Sequence, residues 1–460
     1  MIHRRLAASA GHLYRKPVVS NESFTWLRFP RFIVTPENVK AAADSIFLDG
    51  MNQPVNHGYA YSPADSGRLG WPFYASTQLN HKNTRRPFYR HLGTYINRVS
   101  DFLQRGTVCA PLAVYLPQAD VWAENPLSDI HMAMKLEERL TTRLVDGIQK
   151  AGFWFDFIND DALARFGGYE YRALLLLECD RMPVETARQL RGIAEAGCKL
   201  ICKGHTPRRS CGLIGYEENN AEVAAIFGEL CARGLCTVTE DSLEGVTDAL
   251  RAQVPADVRV ERNPDWIGYV HRRDGDTDIY FLANVSPEPR RERLTFCAQQ
   301  KPFAAFDPMT AREKPLLSAE PDGRDTSVTL TFKPFQSLLF VFSPEMDGAH
   351  PLDRGRETPL MELSGGWRLD VEERGFSKEL DAPRGWERED ALRYYSGEGG
   401  LHDVVSSGCG GVGRRGARGG GTALPRAAGR CGKGACKRRG RGRHLHAPVP
   451  AGHPALPASG

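Results

Sequence analysis

Apolar positions in the first hundred residues switch between two periods. Pro17-Val18-Val19 is a short apolar run that closes on Asn21-Glu22-Ser23, so residues 16–22 read as a strand. Thr35-Pro36-Glu37 is a helix start: a hydroxyl N-cap, proline at the first helical position and an acid in the first turn. The helix runs through Val39, Ala42, Ile46 and Phe47 and stops at Gly50. A second strand, MNQPVNHGY, follows at once. After a polar loop, PFYRHLGTYINRVSDFLQRG reads as an amphipathic helix ended by Gly106. This β-α-β-α order with short connections predicts parallel strands.

Residues 107–256 continue the alternation with more apolar strands. PLAVYLP, FDFIN, YRALLLLEC and CKLICKG read as buried strands, His131 to Lys150 as one long helix, and VETARQLRGIAEAG as a helix closed by Gly197. Continuous apolar strands between helices predict a doubly wound α/β domain covered on both faces, flavodoxin-like or glutamine-amidotransferase-like. From residue 257 to 345 the helical period vanishes. VRVERN, IGYVHRR, DIYFLANV, RERLTFCA, SVTLTF and SLLFVF alternate with turn segments such as DGDTD and PDGRDT, which predicts an antiparallel β-sandwich. Residues 366–402 open one more β-module, of galactose-binding-like type.

After Leu401 the text becomes Gly/Arg-rich and almost free of large apolar residues, so 403–460 is expected to be a disordered tail without a core. Gly, Arg, Ala and Pro are what GC-rich codons yield in a shifted frame, and we read the tail as such a product. The other reading is a basic nucleic-acid-binding arm.

Composition narrows the classes. A chain of 460 residues exceeds one ordinary core, and roughly three domains is the prior. The +4 net charge comes from the tail, which leaves the body slightly acidic and without a basic nucleic-acid face. The eleven cysteines are scattered with no CxxC pair, so neither a disulfide framework nor a zinc site is suggested. No apolar run reaches the roughly 20 residues that a membrane-spanning helix needs. MIHRRLAASAGHLY lacks the apolar stretch of a signal peptide.

The chemistry candidates sit where strands end. In a (β/α)8 barrel, catalytic groups lie at the C-terminal ends of strands. The first strand ends at Glu22. The second ends at Asn56-His57-Gly58-Tyr59, with Tyr61 and Trp71 close behind. An acid beside amide, imidazole and aromatic groups suits a sugar: rings stack on C–H faces, Asn and His bind hydroxyls, and a carboxylate works at the anomeric carbon. Each group also has a bland role. A strand-end carboxylate caps backbone N–H groups, and histidine and tryptophan often only pack. Cys179 ends a strand as an elbow nucleophile would, but Glu178 and Asp180 flank it where small residues are needed, and two carboxylates raise a thiol's pKa. It reads as structural. No GxGxxG follows the first strand of that domain, so a nucleotide site is unsupported.

ESFTWLRFPRFIVTPENVKAAADSIFLDGMNQPVNHGYAYSP, then GWPFYASTQLNHKNT and PFYRHLGTYINRVSDFLQRG, resembles the later catalytic region of glycoside hydrolase family 106, the α-L-rhamnosidases. The resemblance covers about residues 10–400 and is most specific in the ES-F-TW and N-H-G-Y-x-YSP segments. It implies that residues 1–106 are the last βα units of the catalytic barrel, with the units carrying the second carboxylate missing. It further implies inverting hydrolysis of terminal α-L-rhamnosyl linkages by a glutamate pair, calcium dependence and exported bacterial relatives. Glu22 then carries over as one catalytic carboxylate, the general base. Asn56, His57, Tyr59 and Trp71 are the expected sugar contacts. The partner implied is a rhamnose-containing oligosaccharide, polysaccharide or glycoside, with no nucleic acid or membrane. Arg85-Arg86 stands where aromatic residues would be expected. The chain as written is expected to be a truncated, frameshifted and inactive fragment, the alternative being a non-catalytic carbohydrate-binding or vestigial structural protein.

Overall fold

The structure is a computed structural model that describes residues 2–27, 31–124, 132–168, 170–262, 264–347, 366–395, 398–407 and 411–420. It divides into two compact units, Met1–Glu362 and Leu363–Gly460.

The first unit begins with helix α1 (Ile2–Leu13), which local sequence pattern does not reveal. Arg5 and Ser9 lie on its buried side, so its inner face is not an apolar stripe. Ser9 Oγ accepts from the Phe157 amide, which fastens the helix against the strand Phe155–Ile158. Next come strand β1 (Ser20–Ser23), helix α2 (Pro36–Leu48), strand β2 (Gln53–Asn56) and helix α3 (Arg86–Gln104). The start of α2 is as its residues dictate. Thr35 accepts from the Asn38 amide, and the Asn38 side chain returns the bond to the Thr35 amide. Gly50 leaves the helix at φ +90, where a side chain would strike Ala8.

β1 and β2 pair in parallel with Ser20 opposite Gln53 and Ser23 opposite Asn56. They form a separate two-stranded sheet, and no sheet among the described residues closes into a barrel. The apolar faces of α2 and α3 turn instead to the β-sandwich. Phe47 meets Phe281 edge-on at 5.8 Å. Lys40, Asp44 and Tyr95 form a buried polar knot with Ser337 across the same interface. The parallel pair is thereby held from one side by a large shared core.

The doubly wound region is a five-stranded parallel sheet in the order Phe155–Ile158, Leu112–Tyr115, Ala173–Leu176, Lys199–Lys203, Cys236–Thr239. Numbered by appearance this is 2-1-3-4-5, the flavodoxin-like order. Leu112 and Val114 enter one core and Ala113 and Tyr115 the other, so both faces are covered. The long helix expected from His131 to Lys150 is two helices, Met132–Arg139 and Thr142–Lys150. Thr141 breaks them by accepting from the Leu144 amide as a new N-cap. His131 itself lies outside the described residues.

The β-sandwich has a six-stranded and a four-stranded sheet, with Phe296 of one packed on Phe340 and Phe342 of the other. Thr107–Val108, expected to open the doubly wound domain, pairs with Arg272 and Arg273 of the sandwich. Gly106 just before it has φ +53, and any side chain there would collide with the Arg273 carbonyl.

The second unit is a four-stranded antiparallel sheet over Leu369, Val371, Leu380, Leu392 and Tyr395. Its third strand, Glu398–Ser407, crosses the boundary expected at residue 402, and Gly411–Gly420 lies antiparallel to it. Residues 403–407 and 411–420, expected to be disordered, thus have strand backbone. A ladder needs only N–H and C=O groups, which Gly and Arg supply whatever their side chains. Residues 421–460 lie outside the described residues.

Candidate functional site

The parallel register of β1 and β2 aligns their C-terminal ends. The His57 amide donates to the Ser23 carbonyl at 2.9 Å, which sets Glu22 and His57 side by side. Glu22 Oε1 lies 3.5 Å from His57 Nδ1. After Ser23 the chain turns through Phe24 at φ +66, a conformation unfavourable for an aromatic residue and held by burial of its ring. The turn brings Thr25 back: its hydroxyl donates to Glu22 Oε1 at 2.8 Å and lies 3.2 Å from His57 Nδ1. With the proton on Nδ1, a chain of donors runs from imidazole to hydroxyl to carboxylate. The Glu22 side chain stays 67% exposed and that of His57 33%, so the cluster faces solvent.

The loop after β2 carries the aromatic groups. Tyr59 Oη lies 2.6 Å from His81 Nδ1, and the two rings are stacked. Tyr61 and Trp71 meet edge-on at 6.4 Å, and His57 meets Phe73 edge-on at 5.1 Å. Tyr59, Tyr61, Trp71 and Tyr74 are exposed. The loop is shaped from within by buried amides. Gln78 bonds both backbone groups of Phe73, Asn80 donates to Leu69, and Asn83 donates to Gln78. Of the residues named from sequence, the structure brings Glu22 and His57 together and Tyr61 beside Trp71, and it adds Thr25, Phe73 and His81 as neighbours that the sequence reading does not name. His81, in the LNHKNT run, carries a signal only as one more histidine near the candidates. Asn56 is exposed at the same rim. Arg85, which looks misplaced in the sequence, has a local structural role. Its guanidinium donates to the Phe32 and Val34 carbonyls and ties that segment to the start of α3.

The rim of the five-stranded sheet is different. Glu178, not Cys179, occupies the positive-φ position (φ 53) after the strand. The Cys179 thiol is buried and points to the Arg181 carbonyl at 3.6 Å. Burial, then Asp120, Asp160 and Asp180, push its pKa well above the ordinary range, which leaves it an inert thiol. Asp120 is buried and accepts from the Asp180 and Arg181 amides and from the Arg181 guanidinium. Lys203 bridges Glu178 and Asp241. The charges at this rim are paired with one another.

Calcium would need an oxygen-rich site. Among the described residues, the thiol, imidazole and carboxylate ligands that come together are Cys109, His271 and Asp278. Calcium takes six to eight oxygen ligands, whereas this group is sulfur, nitrogen and one carboxylate already bound by Arg273 and Lys301. That ligand set does not fit calcium. No helix among the described residues is long and apolar enough to cross a membrane.

A carboxylate with hydroxyl and imidazole partners at paired strand ends, ringed by exposed aromatic groups, offers the hydrogen-bonding and stacking groups that a sugar requires. The model of glycoside hydrolase family 106, described as alpha-L-rhamnosidase, matches residues 2–318, and the chain belongs to that family. A rhamnosidase structure from Novosphingobium sp. PP1Y is similar with a TM-score of 0.66 and 22% identity, over 87% of this chain and 39% of that one. A protein of Formosa agariphila, provisionally named a beta-glucuronidase, is 26% identical over 309 residues, which is 65% of this chain and 24% of that protein. The chain therefore spans well under half the length of either relative.

Proposed function

We propose that the β1–β2 rim is a glycosidase half-site for terminal α-L-rhamnosyl groups, with Glu22 as the general base. The observation that carries this is the Glu22–Thr25–His57 cluster at aligned strand ends in a chain of this family. Glu22 would take the proton of a water attacking the anomeric carbon, while Thr25 fixes the direction of its oxygen. Asn56, His57, Tyr59 and Trp71 would hold the sugar. Inversion needs an acid on the far side of the bond, with the two carboxyl groups roughly 6.5–9.5 Å apart. The two strand ends supply one carboxylate, Glu22, so this chain should bind rhamnosides but turn them over poorly.

The test is an assay of the purified chain on an aryl α-L-rhamnoside beside calorimetric titration with rhamnose. Saturable binding with little or no turnover is expected. Brisk turnover that survives Glu22→Gln would overturn the assignment. A second reading, a carbohydrate-binding protein without catalysis, is favoured by how open the aromatic loop is. In that case Glu22→Gln keeps full affinity and neither form shows any hydrolysis.

A further inference from the structure

A cavity of about 610 Å³ lies at the opposite ends of β1 and β2 from Glu22, lined by residues that precede each strand, among them Val19 and Asn52. Two buried guanidinium groups share its wall, Arg5 (2% exposed) and Arg272 (7% exposed). Neither forms an ion pair with a carboxylate among the described residues. Arg272 donates to the Arg105 and Gly106 carbonyls. Arg5 is stacked, its guanidinium carbon 4.4 Å from the Trp154 ring centre and 4.7 Å from that of Phe155.

Arg5 Nε and Nη2 have no acceptor among the described residues. These two N–H groups lie on one edge of the guanidinium and form the fork that takes both oxygens of a carboxylate. Burial lowers the Arg5 pKa, and the acids that oppose this at a distance are Asp49, Asp146 and Asp156. Asp49 and Asp156 line the same cavity with Glu170, but Asp49 is paired with Arg4 and Asp156 with His12, and Arg15, Lys16 and Arg272 beside Arg5 leave the wall with a net positive charge. A buried cation without a bonded anion is costly, and a ligand that supplies the anion recovers that cost. The aromatic wall of Trp154, Phe155 and Phe166 suits an apolar or ring-shaped body behind the charge.

We propose that this cavity binds a small organic carboxylate, seated with its two oxygens on Arg5 and its ring against the aromatic wall. The site is separate from the β1–β2 rim and does not depend on the reading of Glu22. The Arg5 fork is shielded from water, so the wall must give slightly for the ligand to reach it.

The test is calorimetry on the purified chain with sodium benzoate, benzyl alcohol and inorganic phosphate. Tryptophan fluorescence reports on Trp154. Benzoate is expected to bind saturably at one site, with benzyl alcohol and phosphate at least about tenfold weaker. Arg5→Met should weaken benzoate about tenfold or more. Arg5→Lys keeps a cation, loses the fork and should also lose affinity, which covers the case in which the Met variant fails to fold. His3→Gln, on the same helix but outside the cavity lining and paired with Glu137, should bind as the parent does. Trp154→Phe should remove the fluorescence change. The proposal is overturned if benzoate does not saturate, if the Arg5 variants bind it unchanged, or if phosphate or benzyl alcohol binds equally well.

Discussion

Two carboxylate–imidazole clusters in this chain share chemistry and differ in setting. Glu22 and His57 meet at the open end of a two-stranded sheet, 3.5 Å apart, with a hydroxyl between them and solvent beside them. His271 is 2% exposed and lies between two aspartates, Asp257 at 3.0 Å from Nδ1 and Asp278 at 3.0 Å from Nε2, with its ring stacked on Tyr280. Asp278 also takes Arg273 and Lys301. The buried cluster ties the connection at Asp257 to the β-sandwich and has every acceptor engaged. The exposed cluster keeps a carboxylate oxygen available. Saturation leaves the buried cluster a structural role, whereas the open oxygen at a strand end is free to meet a ligand.

The sharpest way to break the comparison is to remove each imidazole. His271→Leu leaves two buried carboxylates without their shared cation and should cost about 3–5 kcal/mol in denaturant unfolding. His57→Leu should stay within about 1 kcal/mol, because an exposed pair contributes little. Equal losses would erase the distinction. Next in size is chemistry: Glu22→Gln should lower any rhamnosidase turnover by about 10²–10⁴-fold with stability unchanged, read by initial rates and a melting curve.

The pH dependence of stability gives a further test. Burial disfavours charge on His271, but Asp257 and then the hydrogen bonds of both aspartates outweigh it, and its pKa is raised well above the ordinary value. Its stabilisation is therefore complete below about 6.5 and is lost as pH rises through the raised folded value. Asp278 is the mirror case. Burial opposes its charge, yet His271, Lys301 and Arg273 hold its pKa below the usual range. Its share is present above about 3.9 and is lost as pH falls. Unfolding free energy measured across pH should decline on both flanks, and His271→Leu should flatten the alkaline one. The smallest effect is Trp71→Ala, which should weaken rhamnose binding by about 1 kcal/mol in calorimetry without touching stability.

Much of this architecture could be read from local pattern. Thr35-Pro36-Glu37 and Gly50 bracket α2 because capping is chemistry between residues a few positions apart. The alternation of Leu112, Val114, Ala113 and Tyr115 between two cores follows from a strand apolar on both sides. Helix α1 escaped because its buried face includes Arg5 and Ser9, and those become inner positions only against Trp154 and Phe157. The break at Thr141 escaped because the same residues also suit one continuous helix. At the site, Glu22, Asn56, His57, Tyr59 and Trp71 were legible as residue types at strand ends. Thr25 was not, since its role depends on the turn at Phe24.

By itself the sequence determined the alternation of β1, α2, β2 and α3, the family, and a carboxylate ending the first strand. Those depend on contacts within a few residues and on patterns of apolar spacing. Only the tertiary structure decided that Glu22 meets His57, that α2 and α3 bury their faces on the β-sandwich, that His271 is locked between aspartates, and that Arg5 is buried in a cavity wall without an acceptor for Nε and Nη2 among the described residues. Most of these join residues tens to hundreds of positions apart, and His271 meets Asp278, seven positions away, only through the antiparallel pairing of their two strands. Strand register and core packing choose such partners, and no local spacing encodes them.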